Sequence, residues 1–226
     1  MFKRKLSRAE YALLAANLIP VAGVWFLGWN PKEMFVVYAL ETVIAGLFTL
    51  LKMGITTMVK KQDDWHGTGG SKKKMPGWFF MVFFIFHYGM FVAIQMGMFL
   101  AVSGMGNDTG FGLFSFFNKI PELLTTENLW VLAAFVLSYI LHNLSGFILT
   151  GEYKTASLSY LMFQPYARIF VQQFTVIAGS IFISFGAGKI FILIFAGVKI
   201  FMELFVDYDS IIRKAAKGEL PLSRKQ

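Results

Sequence analysis

Residues 77–104 read GWFFMVFFIFHYGMFVAIQMGMFLAVSG, a long apolar run that holds no Asp, Glu, Lys or Arg. A helix rises 1.5 Å per residue and a bilayer's hydrocarbon core is roughly 30 Å thick, so about twenty such residues suffice to cross it. This segment therefore predicts a transmembrane helix. The rest of the chain agrees with it. Of 226 residues, 56% are hydrophobic and only 15% are charged, whereas soluble domains carry about 25% charged residues. A water-soluble enzyme is excluded as the starting expectation.

Working outward from 77–104, hydropathy gives five more spans, at about 11–29, 34–53, 129–150, 166–187 and 189–207. Lipid offers the backbone no hydrogen-bond partner, and the alternating short segments of a barrel are missing, so each span must be helical. The expected fold is all-α: a polytopic bundle of six transmembrane helices over residues 1–210, followed by a basic cytoplasmic tail at 211–226. The first span follows Lys3, Arg4, Lys5 and Arg8 but contains Asn17 and Pro20 and lacks a small-residue cleavage site. It is read as a retained helix rather than a secretory signal.

Charge sets the orientation. With the N-terminus in the cytoplasm, one side of the membrane receives 17 of the 21 Lys and Arg residues, which places both termini inside by the positive-inside rule. The expected location is a prokaryotic cytoplasmic membrane, with anionic headgroups meeting the basic residues on the cytoplasmic side. Nucleic acid is not an expected partner, because the basic residues lie at the ends of apolar segments. Zero cysteines exclude disulfides, thiolate metal sites and a cysteine nucleophile. No phosphate loop, dinucleotide fingerprint, His-Glu-x-x-His or Gly-x-Ser-x-Gly motif is present.

Three connections stand out. Lys60 to Met75, with its glycines and Lys72, Lys73 and Lys74, reads as a flexible lipid-facing loop. Residues 110–127, rich in Phe, fit a short interfacial helix. The stretch after the fourth span, with Tyr153, Tyr160, Leu161, Met162 and Phe163 before Pro165, is expected at the inner headgroup level.

The candidate functional residues are those that cost free energy in lipid, about 2.5–3.5 kcal/mol for an ionisable group at mid-membrane. They are Glu41, His87, Gln95, His142, Asn143, Gln173, Lys199 and Glu203. Counting inward from the cytoplasmic ends puts both histidines at similar depth and Glu41 somewhat deeper. His87, His142, Glu41 and Glu203 form a candidate ligand set for zinc, iron or manganese. Two histidines on adjacent helices also offer axial ligation of a b-type haem, the lesser expectation. Lys199 and Glu203, four apart on one helix, are expected to form an ion pair. Arg168 is placed to meet headgroup phosphates or an anionic ligand, and His66 reads as a solvated loop residue.

The strings His87-Tyr88-Gly89, Gly151-Glu152-Tyr153, Pro165-Tyr166-Ala167-Arg168-Ile169 and Lys199 to Glu203 together resemble a prokaryotic integral-membrane family of unknown function over roughly residues 34–210. The resemblance implies a shared interior site, with histidines tending to occur at the positions of Gln95 and Gln173 and an aspartate at that of Glu203. It implies no reaction. The expected function is thus a multi-pass membrane protein whose interior polar site binds a metal ion or other cofactor. The alternatives are a non-catalytic accessory subunit of a larger membrane complex and a small-solute or ion transporter.

Overall fold

The computed structural model describes residues 8–66, 72–103, 125–166, 169–170, 182 and 185–205. Residues 110–124 of the interfacial helix expected at 110–127, most of the span at 166–187 and the tail from 211 lie outside these residues, as do Gln173 and Arg168.

Helix α1, Arg8–Phe26, holds Pro20 in its interior. It is joined by a tight turn to α2, Pro31–Lys60. Both the start of α2 and the turn have local causes. Asn30 accepts a hydrogen bond from the Lys32 amide at 2.9 Å, and Pro31 takes a first-turn position where its missing N–H costs nothing. The Trp29 amide bonds the Gly23 carbonyl at 3.0 Å, and the Trp29 ring lies so close to Gly23 that a Cβ there would meet it at 2.0 Å.

Helix α2 outruns the expected span 34–53 by two turns at its end, because Lys52 does not stop it. That lysine is buried, donates to Gln164 Oε1 at 3.0 Å and lies over the Phe147 ring at 5.4 Å. Counted by sequence as part of the following connection, Lys52 is an interior residue.

After α2 the chain forms an antiparallel hairpin of β1, Gln62–His66, and β2, Lys72–Pro76. Cross-strand partners run from Gln62 with Pro76 to His66 with Lys72. The reading of Lys60 to Met75 as a flexible loop is corrected here for both arms. Trp65 packs edge-on against Phe79 and Phe83, at 5.5 Å each, and the aspartates beside it bond to a distant segment described below. Gly77 then opens α3, Gly77–Ser103, with its amide on the Lys61 carbonyl at 2.8 Å.

The next run is α4, Thr126–Ser138, a π-helical turn at Tyr139–Leu144, and α5, Ser145–Leu149. Ser145 Oγ donates back to the Leu141 carbonyl. Past Gly151, whose φ of 71° suits glycine, comes the short helix α6, Leu158–Phe163. Its residues Leu158, Ser159, Tyr160, Leu161 and Met162 are all buried inside the bundle. The cause lies in the hairpin: an Asp63 carboxylate oxygen accepts from the Leu158 amide, Ser159 Oγ donates to the Asp64 carbonyl at 3.1 Å, and Lys60 bridges Asp63 and the Ala156 carbonyl, both at 3.2 Å. Helix α7, Gly188–Phe205, completes the described chain.

Helix α2 is central and packs on α3, α4, α6 and α7, while α1 packs on α4 and α7. Close approach of α2 and α3 depends on Gly46, where a Cβ would meet the Tyr88 ring at 2.6 Å. That placement lets Tyr88 donate to the Thr42 carbonyl at 2.8 Å. Three helical stretches, Pro31–Lys60, Gly77–Met98 and Asn128–Leu149, are long and apolar enough to cross a membrane. Large apolar side chains point outward along them, among them Leu47, Phe86 and Trp130.

Asp63→Ala removes the acceptor that caps α6 and is expected to cost about 1–3 kcal/mol. A lower melting temperature of the detergent-solubilised protein would report it, and an unchanged melt would contradict the anchoring role.

Candidate functional site: a polar column along the central helix

Five polar residues of α2 are buried: Glu41, Thr42, Thr49, Lys52 and Thr56. At about 100° per residue they fall within an arc of about 100°, so they form one stripe on the most enclosed helix of the bundle. Thr56 Oγ1 has no hydrogen-bond partner among the described residues.

At the far end of the stripe, Lys199 of α7 donates to Glu41 Oε2. Their side chains are only 4% and 1% exposed. The ammonium also sits over two rings, Tyr38 at 4.7 Å and Phe135 at 4.8 Å, so a cation out of reach of water is held by a carboxylate and two π faces. Tyr38 is fixed in turn, because its hydroxyl donates to the Asn17 carbonyl at 2.6 Å. Four helices thus contribute to this centre. Asn17, Glu41, Phe135 and Lys199 each lie nine to eleven residues from the end of their helix that faces away from the hairpin, or roughly 14–17 Å along the axis.

The structure gives Lys199 a carboxylate partner on another helix, Glu41; the expected pairing with Glu203 of α7 rests on a side chain outside the described residues. Glu41 could have been matched to Lys199 from sequence by counting from the outer ends of both helices.

His87 occupies a different region. It shares a 2.7 Å hydrogen bond between Nδ1 and the Tyr166 hydroxyl, stacks on Phe83 at 5.1 Å and meets Phe91 edge-on at 5.1 Å. Tyr166 is the hydrogen-bond partner that sequence reasoning missed. With α2 running to Lys60, Glu41 is roughly 28 Å along the axis from the hairpin end and His87 roughly 15 Å, so Glu41 is deeper than His87, as expected, but by a wider margin than the shorter span gives. His142 and Asn143 lie in the π-helical turn, and their side chains are outside the described residues. Gln95 is buried on α3. Among the described residues no three His, Asp or Glu side chains gather as a metal site would require. His66 terminates β1 opposite Lys72.

A helical bundle with a charged and hydroxylated interior stripe is the class of protein these observations define. The chain belongs to DUF6498, a family of unknown function whose model matches residues 1–220. No curated protein and no solved structure matches the chain.

Removing one partner of a buried pair leaves a charge uncompensated, at a cost of about 3–5 kcal/mol, while an apolar pair of similar volume restores packing. Glu41→Leu and Lys199→Met are each expected to lower the melting temperature clearly, and the double variant to recover most of the loss. Additive losses in the double variant would contradict the pairing.

Proposed function

We propose that this chain is a multi-pass integral membrane protein with six membrane-spanning helices and both termini in the cytoplasm, and that it moves a small cation or cation-coupled solute along the polar stripe of α2. The carrying observation is the stripe itself, which strings a carboxylate, a lysine and three hydroxyls down one face of the central helix. Hydroxyls both donate and accept, so they suit a passing ion or its water. A leucine and a methionine would join α2 to α7 as well as the ion pair does. Glu41 and Lys199 supply something more: a cation that takes the place of the ammonium at Glu41 frees Lys199 and changes the contact between the two helices. Intramembrane ionisable residues are functional candidates for this reason.

Zinc, iron or manganese at His87, His142, Glu41 and Glu203, or a haem between the histidines, draws less support. Among the described residues no three His, Asp or Glu side chains gather, Glu41 is engaged by Lys199, and Glu41 and His87 lie at different heights along the bundle. The accessory-subunit reading draws on no particular contact in the bundle.

Proteoliposomes containing the full chain and a pH- or cation-sensitive dye test the transport reading. Wild-type protein is expected to carry a flux that Glu41→Gln reduces on the order of tenfold or more. Flux equal to that of empty vesicles, or unaffected by Glu41→Gln, would overturn it.

A further inference from the structure

The hairpin end of the bundle combines three features that the interior stripe does not use. It is basic: Lys60, Lys61, Lys72, Lys73 and Lys74 stand against Asp63 and Asp64, and Lys61, Lys73 and Lys74 are exposed. Both aspartates are turned to internal work, Asp63 on Lys60 and the Leu158 amide and Asp64 on Ser159 through its carbonyl. The hairpin is also fixed in place, by those bonds and by Trp65 against the aromatic rings of α3. Finally, the basic layer borders directly on outward-facing apolar side chains at the same end of the bundle: Met58 and Val59 closing α2, Trp78 opening α3 and Leu149 closing α5.

A tryptophan at the edge of an apolar surface is the residue that sits at the headgroup level of a bilayer. A rigid row of lysines just beyond it lies where lipid phosphates are.

We propose that the β1–β2 hairpin, through Lys61, Lys73 and Lys74 with Trp78 beneath them, is a docking surface for the headgroups of anionic phospholipids. Each lysine near an anionic surface contributes roughly a fivefold gain in affinity. Because the same hairpin caps α6, a lipid held there bears on a buried segment that carries Gln164, the partner of Lys52. The inference rests on the membrane placement proposed above and is independent of the transport reading.

Native mass spectrometry of the full chain, released from detergent micelles doped with equal phosphatidylglycerol and phosphatidylcholine, tests it. Wild-type protein is expected to retain phosphatidylglycerol preferentially, and the Lys73→Gln, Lys74→Gln variant to lose that preference by on the order of tenfold or more. Lys189→Gln, an exposed lysine at the opposite end, is expected to leave it unchanged. Both changed residues lie on β2 and are exposed, so equal melting temperatures of variant and wild type accompany the expected result. Absence of preference in the wild type, or a preference untouched by the double substitution, would overturn the proposal. So would complete displacement of the lipid by inorganic phosphate at the same concentration, which marks a free-phosphate site. Fractionation of the chain with membranes, measured separately, tells failure of this inference from failure of the membrane placement.

Discussion

The constraint that organises the bundle is that Glu41 and Lys199, two buried charges on different helices, must meet. Each charge alone would be costly among apolar helices, and their attraction offsets that cost only when the geometry is good and the remaining surfaces are also satisfied. Here the satisfaction is shared: Tyr38 and Phe135 cover the ammonium, and Asn17 of α1 holds Tyr38 by its backbone. The ion pair and the groups that cover it therefore bring α1, α2, α4 and α7 together at a common level. The registers agree because each helix places its contributing residue about the same distance from one end of the bundle.

A second polar layer ties the opposite end. Lys52 reaches Gln164, Lys60 reaches Asp63 and Ala156, and Asp63 reaches Leu158. All of these but Lys60 to Asp63 join segments roughly a hundred residues apart in the chain, and they explain how a short helix next to Pro165 comes to be buried. Backbone groups at the ends of so short a helix have few partners of their own, and the hairpin provides one of them.

Much of the helical architecture was legible, because apolar runs of about twenty residues read directly as helices. One departure concerns the length of α2: Lys52, counted in sequence with the connection that follows, finds Gln164 and the Phe147 ring inside the bundle. Ending α2 at residue 53 hid two things: the true height of Glu41 and the arc joining Glu41, Thr42, Thr49, Lys52 and Thr56. With the helix drawn to its full length, that arc is visible in sequence. The pairing of Lys199 with Glu41 is legible only by counting from the outer ends of both helices, and a neighbour four residues along the same helix is the simpler local solution. The hairpin is not legible: its strands carry no alternating apolar pattern, and among the described residues Trp65 packing on α3 and the bonds to α6 help hold them in place. The link from His87 to Tyr166 crosses 79 residues and leaves no local trace.

The spacing of the ionic contact also bears on how the protein is made. Glu41 and Lys199 are 158 residues apart, and ribosomes add about 5–20 residues per second, so the glutamate precedes its counter-ion by roughly 8–30 s. In a membrane, α2 would spend that interval without the counter-ion of Glu41. A segment of that kind waits most favourably in the insertion machinery or near the interface, so the arrival of α7 is the step that completes the centre.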